Sequence, residues 1–245
     1  ESTTTNSPST VPKPPPAAPI TGPKQFSRAQ TIGENSCMTI MATEFYCSSE
    51  KPNTLDIDLT ILNNSMNVLT AIDISVPTSN VKPSSLPSSN QTINPGEKAS
   101  HKISLEFQNI LIPQKVRLIF VPTDNGAETL ESSLLFFPSF FLMPGDPANL
   151  QNAMAQATNI QKLKPVTQAK PKDLLQCIIN VLRSAIIKGN DQQSRTLYSV
   201  TTQKHEVICQ LTVDVSSVFI ELKSSDPTLA KDLIREIELK IKSLS

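Results

Sequence analysis

The chain has no tryptophan, and only two histidines, two tyrosines and six glycines among 245 residues. So few histidines and glycines leave little material for a metal centre or a glycine-rich loop that cradles phosphate. No run of about 18 apolar residues occurs, so the sequence offers no membrane-spanning helix. An excess of charge is missing too: 22 Lys plus Arg face 22 Asp plus Glu. A balanced chain does not hold nucleic acid or anionic lipid by bulk attraction. Residues 1–24 contain no apolar stretch, so neither a signal peptide nor an anchor is expected there. G-x-S-x-G, H-E-x-x-H, C-x-x-C and Walker patterns are all lacking. The paired carboxylates Asp56 and Asp58 fall on the wet side of a strand, with no apolar pocket to tune them. His101, in a strand, and His205, in a turn, read as surface residues. No enzyme activity, cofactor or metal is therefore expected.

The four cysteines, Cys37, Cys47, Cys177 and Cys209, each sit in an apolar or strand-like stretch. There a thiol behaves as a small hydrophobe, which favours reduced, buried cysteines and a cytosolic chain. The rival is a secreted or cell-surface Ig-like binding module with two disulfides, using the sequons Asn63-Asn64-Ser65 and Asn90-Gln91-Thr92.

What is abundant is proline: 20 residues, seven of them within 1–24. That composition buries too little surface to offset chain entropy, so residues 1–29 read as a disordered Pro-rich hinge. At about 3 Å per residue its proline-rich part, residues 1–24, reaches roughly 70 Å. Its PxxP fragments, such as Pro12-Lys13-Pro14-Pro15, fit a spacer better than a ligand. From 30 to 140 the period is two. Leu55, Ile57, Leu59 and Ile61 alternate with Asp56, Asp58 and Thr60, and the same rhythm returns at Ile72–Ile74–Val76, Ile103–Leu105–Phe107 and Val116–Leu118–Phe120. Short alternating strands between turn-rich stretches predict an Ig-like antiparallel β-sandwich. The Phe-rich run 134–143 reads as its last strand, crossing into a second domain.

Residues 141–245 change character. Leu174, Leu175, Ile178, Val181, Leu182, Ala185 and Ile186 share one arc of a helix spanning 173–188. Strands follow over 195–202, 206–214 and 217–223. Asp226-Pro227 then supplies an N-cap and a first-turn proline for a helix to about Lys242. The fold class is α+β: hinge, sandwich, then a small TBP-like platform.

Charge is uneven along the chain. Residues 32–137 carry six positive and 11 negative groups, and 138–245 carry 13 positive and 10 negative. Lys162, Lys164, Lys170 and Lys172 form a basic loop before the first long helix, suited to acidic peptides or an acidic subunit. The platform strands offer Tyr198 and Phe219 as their only aromatics, too few for a stacking surface, so no nucleic-acid partner is expected.

A Pro-rich hinge, a sandwich and an α+β platform in this order resemble the appendage, or ear, of the large clathrin-adaptor subunits. Within that family the nearer likeness is to the delta-adaptin branch, the large subunit of the third heterotetrameric adaptor complex. It is carried by Gly33-Glu34-Asn35-Ser36-Cys37-Met38, Leu59-Thr60-Ile61-Leu62-Asn63-Asn64-Ser65 and Leu111-Ile112-Pro113-Gln114-Lys115-Val116. In the platform it is carried by Leu197-Tyr198-Ser199, His205-Glu206-Val207-Ile208-Cys209 and Lys223-Ser224-Ser225-Asp226-Pro227-Thr228-Leu229. The resemblance implies a non-enzymatic protein-interaction module in vesicle-mediated transport from Golgi or endosome to lysosome or vacuole. It would recruit or regulate accessory proteins, tethering proteins or fellow adaptor subunits, and reach membranes only indirectly, through its complex. Related ears capture Phe-containing peptides through a platform tryptophan, which this chain lacks. The candidate protein-binding residues are Tyr198, Lys204, Phe219, Lys162, Lys164, Lys170 and Lys172.

Overall fold

The computed structural model describes residues 30–86, 91–123, 128–166, 171–188, 194–213 and 217–243. The proposed hinge, Asn90, Lys170 and the Asp124-Asn125-Gly126 turn lie outside the described residues. In chain order the first strands are β1 (Gln30–Glu34), β2 (Met38–Cys47), β3 (Thr54–Asn63), β4 (Ile72–Ser75), β5 (Val81–Ser85), β6 (Lys98–Phe107), β7 (Gln114–Pro122) and β8 (Leu130–Phe136). They form two antiparallel sheets, ordered β1-β2-β3-β6-β5 and β4-β7-β8, which enclose one hydrophobic core. Period-two alternation is what allows this: along β3, Leu55, Ile57, Leu59 and Ile61 are buried, while Asp56, Asp58 and Thr60 face out.

The Phe-rich run divides where its proline falls. β8 stops at Phe136, earlier than expected, and Pro138 opens a short 3-10 turn, Pro138–Phe141. That turn drives Phe140 and Phe141 back into the two-sheet core. There they join Phe45, Phe107 and Phe136 in edge-to-face contacts with ring centroids 4.9 to 6.3 Å apart. Each fully buried ring contributes about 2–3 kcal/mol by removing apolar surface from water.

The chain then continues as β9 (Leu142–Pro144), α1 (Leu150–Gln156), β10 (Asn159–Val166), α2 (Pro171–Leu182), β11 (Ala185–Lys188), β12 (Ser194–Thr201), β13 (Glu206–Val213), β14 (Val218–Ser224) and α3 (Pro227–Lys242). One antiparallel sheet, β10-β14-β13-β12-β11 with β9 also on β12, is covered on one face by α2 and α3. The second core joins Leu174, Ile178, Leu222, Leu233 and Ile237. Asp226 caps α3 as expected, its carboxylate accepting from the Leu229 N–H at 2.8 Å.

Three expectations are corrected. The helix expected over 173–188 ends at Leu182: Arg183 adopts φ 48°, and Ala185–Lys188 pairs with β12. Ala185 and Ile186 fit the helical arc, but the left-handed residue turns the chain out of it, and the β-branched pair Ile186-Ile187 suits a strand. Lys162 and Lys164 belong to strand β10 rather than to a loop. His101 is buried, because it takes an inward position of β6 between Ala99 and Ile103.

The two halves meet through specific contacts. Thr202 donates to the Pro52 carbonyl at 2.6 Å, Gln203 to Asn53 at 2.7 Å, and Ser139 to Glu236 at 2.7 Å. Arg183 Nη1 donates to Cys47 Sγ at 3.6 Å.

Candidate functional site

The strand register assigns the outer side chains of the α+β sheet to rows, because directly paired residues share a face. One row runs Ile160, Lys223, Ile208, Tyr198. The next runs Lys162, Glu221, Gln210, Thr196, and a third Phe219, Thr212, Ser194. α1 covers one end of this face: Ala153 and Ala157, with Leu150, pack on Tyr198 and Ile208. The rest is open, with Ile160 49% and Phe219 45% exposed.

The row between Ile160 and Phe219 is charged. Glu221 accepts from Lys162 Nζ at 2.9 Å and from Lys223 Nζ at 3.2 Å. Those two ammonium groups, Lys162 first, hold its carboxyl below the usual carboxylate range. Lys164 is exposed one position beyond inward-facing Leu163. Lys162 and Lys223 share one carboxylate and Lys164 adds a third lysine, so the described outer rows carry more positive than negative charge. Surface ion pairs of this kind add little stability.

The candidate residues from the sequence divide accordingly. Phe219, Lys162 and Lys164 are brought together. Tyr198 shares the face but is buried under α1; burial, and then the hydrogen bond its hydroxyl donates to Glu206 at 2.6 Å, raise its pKa. Lys204 lies at φ 71° in the turn between β12 and β13. That turn is at the other end of β13 from Thr212, roughly 25 Å from Phe219 by strand rise. Lys172 falls in the first turn of α2, its side chain outside the described residues, as is all of Lys170. Sequence reasoning missed Ile160. The alternation of Ile160, Lys162 and Lys164 with Gln161 and Leu163 was the available signal.

Elsewhere the chemistry is structural. Asp58 accepts from the Tyr46 hydroxyl at 2.8 Å, and Asp56 from Ser104 at 2.6 Å, on the outer face of the larger sheet. No three His, Cys, Asp or Glu side chains among the described residues gather as a metal site. The four cysteines are free thiols. No described helix is long and apolar enough to cross a membrane. Asn63, in the first sequon, is fully buried, its Nδ2 donating to the carbonyls of Asn67 at 2.7 Å and Ile93 at 2.9 Å.

No protein-family model matches the chain, and no curated protein matches it. Among solved structures it is similar to a FixG-related protein from Vibrio parahaemolyticus, at 14% identity and TM-score 0.31, over 42% of this chain and 97% of that one. It is also similar to the GAE domain of GGA1 from yeast, at 12% identity and TM-score 0.32, over 43% and 96% of the two chains. The GAE domain of GGA2p from Saccharomyces cerevisiae gives 18% identity and TM-score 0.27, over 44% and 94%.

Proposed function

We propose that this chain is a non-enzymatic protein-interaction appendage of an adaptor complex in vesicle-mediated transport, of the delta-adaptin kind that its sequence resembles. In this reading residues 1–29 are the hinge, 30–140 an Ig-like sandwich and 141–245 a TBP-like platform. The appendage recruits or regulates accessory, tethering or fellow adaptor proteins on Golgi or endosomal membranes and coated vesicles. It reaches those membranes through its complex.

The observation that carries the reading is the open outer face of the α+β sheet. Phe219 and Ile160 stand exposed beside Lys162 and Lys164, while the opposite face of the same sheet is buried under two helices. Exposed apolar side chains interleaved with charged ones on an otherwise uncovered sheet face suit a protein contact surface. A roughly 70 Å tether would let weak contacts on this surface act at high effective concentration. The secreted alternative fits less well, since a glycan on Asn63 would take the place of one of two Nδ2 hydrogens that both donate to carbonyls of the fold.

The test is affinity capture from cytosol on the immobilised chain, alongside Phe219→Ser. Selective loss of captured proteins with Phe219→Ser supports the reading; an identical set at equal yield removes it.

A further inference from the structure

The open face ends in an unshared edge. Among the described residues β10 has β14 as its one strand neighbour. Every second residue of β10 therefore sends its backbone N–H and C=O away from the sheet. α3 packs against β10 from the inner side, where Leu163 joins the core, so the edge and the outer row remain. An edge of this kind is a template for another strand.

Its outer row selects what can pair. Ile160, Lys162 and Lys164 are all exposed, and Glu221 answers Lys162 and Lys223 together. A second copy of this chain, pairing antiparallel along β10, would bring these lysines against each other, which is unfavourable. Edge lysines are a common device for refusing self-association. An acidic strand meets the opposite condition, because its carboxylates complete the charge that Glu221 leaves unanswered.

We propose that the β10 edge takes up an extended acidic segment of a partner protein as an added antiparallel strand. Read from its N-terminus the segment runs acid–x–acid–x–apolar. The acids stand opposite Lys164 and Lys162, and the apolar side chain stands opposite Ile160. The pairing register with β14 shifts between Leu163 and Val166, and this break bends the strand and ends the usable edge after about five residues. The proposal rests on the open face being a protein-binding surface and adds how, and to what, it binds.

The test is fluorescence anisotropy with the intact chain and a labelled peptide containing Glu-Val-Glu-Thr-Leu. Its controls are the same peptide with lysines for its glutamates, and two backbone N-methylated forms in opposite alternating phases. The acidic peptide binds at least tenfold tighter than the lysine peptide. K162E/K164E, at exposed positions and with an unchanged melting temperature, weakens it at least tenfold. N-methylation in one phase abolishes binding, and in the other leaves it within about threefold, because only one edge of the added strand faces β10. Equal binding by both N-methylated forms overturns strand addition, and equal binding of acidic and basic peptides overturns the charge selection. If the acidic peptide fails to bind while Phe219→Ser still strips the captured proteins, the edge proposal falls and the reading of the face stands. If Phe219→Ser changes nothing in the capture, that reading falls with it.

Discussion

The guanidinium of Arg183 lies over the ring of Phe140, its Cζ 6.0 Å from the ring centroid. This contact joins the two halves of the molecule, because Arg183 directly follows α2 and Phe140 belongs to the two-sheet core. Arg183 is buried, donates to Cys47 from Nη1, and keeps its Nε and Nη2 without hydrogen-bond partners. Burial lowers its pKa, while the nearby Cys47 and Glu236 act the other way. The guanidinium remains ionised because of its high intrinsic pKa, and the groups around it offset part of the cost of burying that charge.

Arg183→Met should therefore destabilise the chain by about 3 kcal/mol, because the buried carboxyl of Glu236 loses a neighbouring positive charge. In a double-mutant cycle with Glu236→Gln, urea denaturation should give a coupling of about 1–3 kcal/mol. Additivity would show that the two groups do not sense each other.

His101 gives a pH dependence. Burial lowers its pKa below the ordinary 6.5, and its Nε2 has no hydrogen-bond partner. Above pH 6.5 both folded and unfolded chains hold it neutral. As pH falls through 6.5 the unfolded chain takes up a proton that the folded chain refuses, so stability declines by at most about 1.4 kcal/mol per pH unit. The loss ends once the folded pKa is passed. Urea midpoints between pH 7.5 and 5.5 should fall for the parent chain and fall less for His101→Leu.

Gly145 marks a close approach. Its N–H donates to the Tyr198 carbonyl at 3.1 Å, and a Cβ added there would overlap the Tyr198 ring. That ring is held by α1 and by Glu206, so it cannot swing aside. Gly145→Ala should cost about 1–3 kcal/mol in thermal or urea unfolding. Tyr198→Ala in the same background should remove the added cost.

Asn63 is a structural residue, fully buried and hydrogen-bonded through its side-chain amide. Asn63→Ala leaves the Asn67 and Ile93 carbonyls without their amide donor and should cost about 2–4 kcal/mol. When the chain is directed through a secretory pathway, mass spectrometry should find Asn63 unmodified.

Much of this architecture was legible in the sequence, for physical reasons that differ by element. β3 and α3 declare themselves, one by strict alternation and the other by a cap, a proline and a buried stripe. α2 does not, because Ala185 and Ile186 satisfy a helical period that the backbone at Arg183 breaks. β10 was hidden because its lysines look like a solvated loop when read by charge alone. Of the residues on the open face, Phe219, Lys162 and Lys164 were already named from composition and placement. Ile160 and the burial of Tyr198 depend on strand pairing and on the seat of α1, which no local pattern specifies.

The most direct test places a photo-crosslinking benzoylphenylalanine at position 219 and, in a separate chain, at position 121. Val121 is 39% exposed on the smaller sheet of the other half. Irradiation in cytosol should yield discrete partner adducts from position 219 and none above background from position 121. Equal adducts from both positions, or adducts from position 121 alone, would contradict the assignment of the open α+β face as the binding surface.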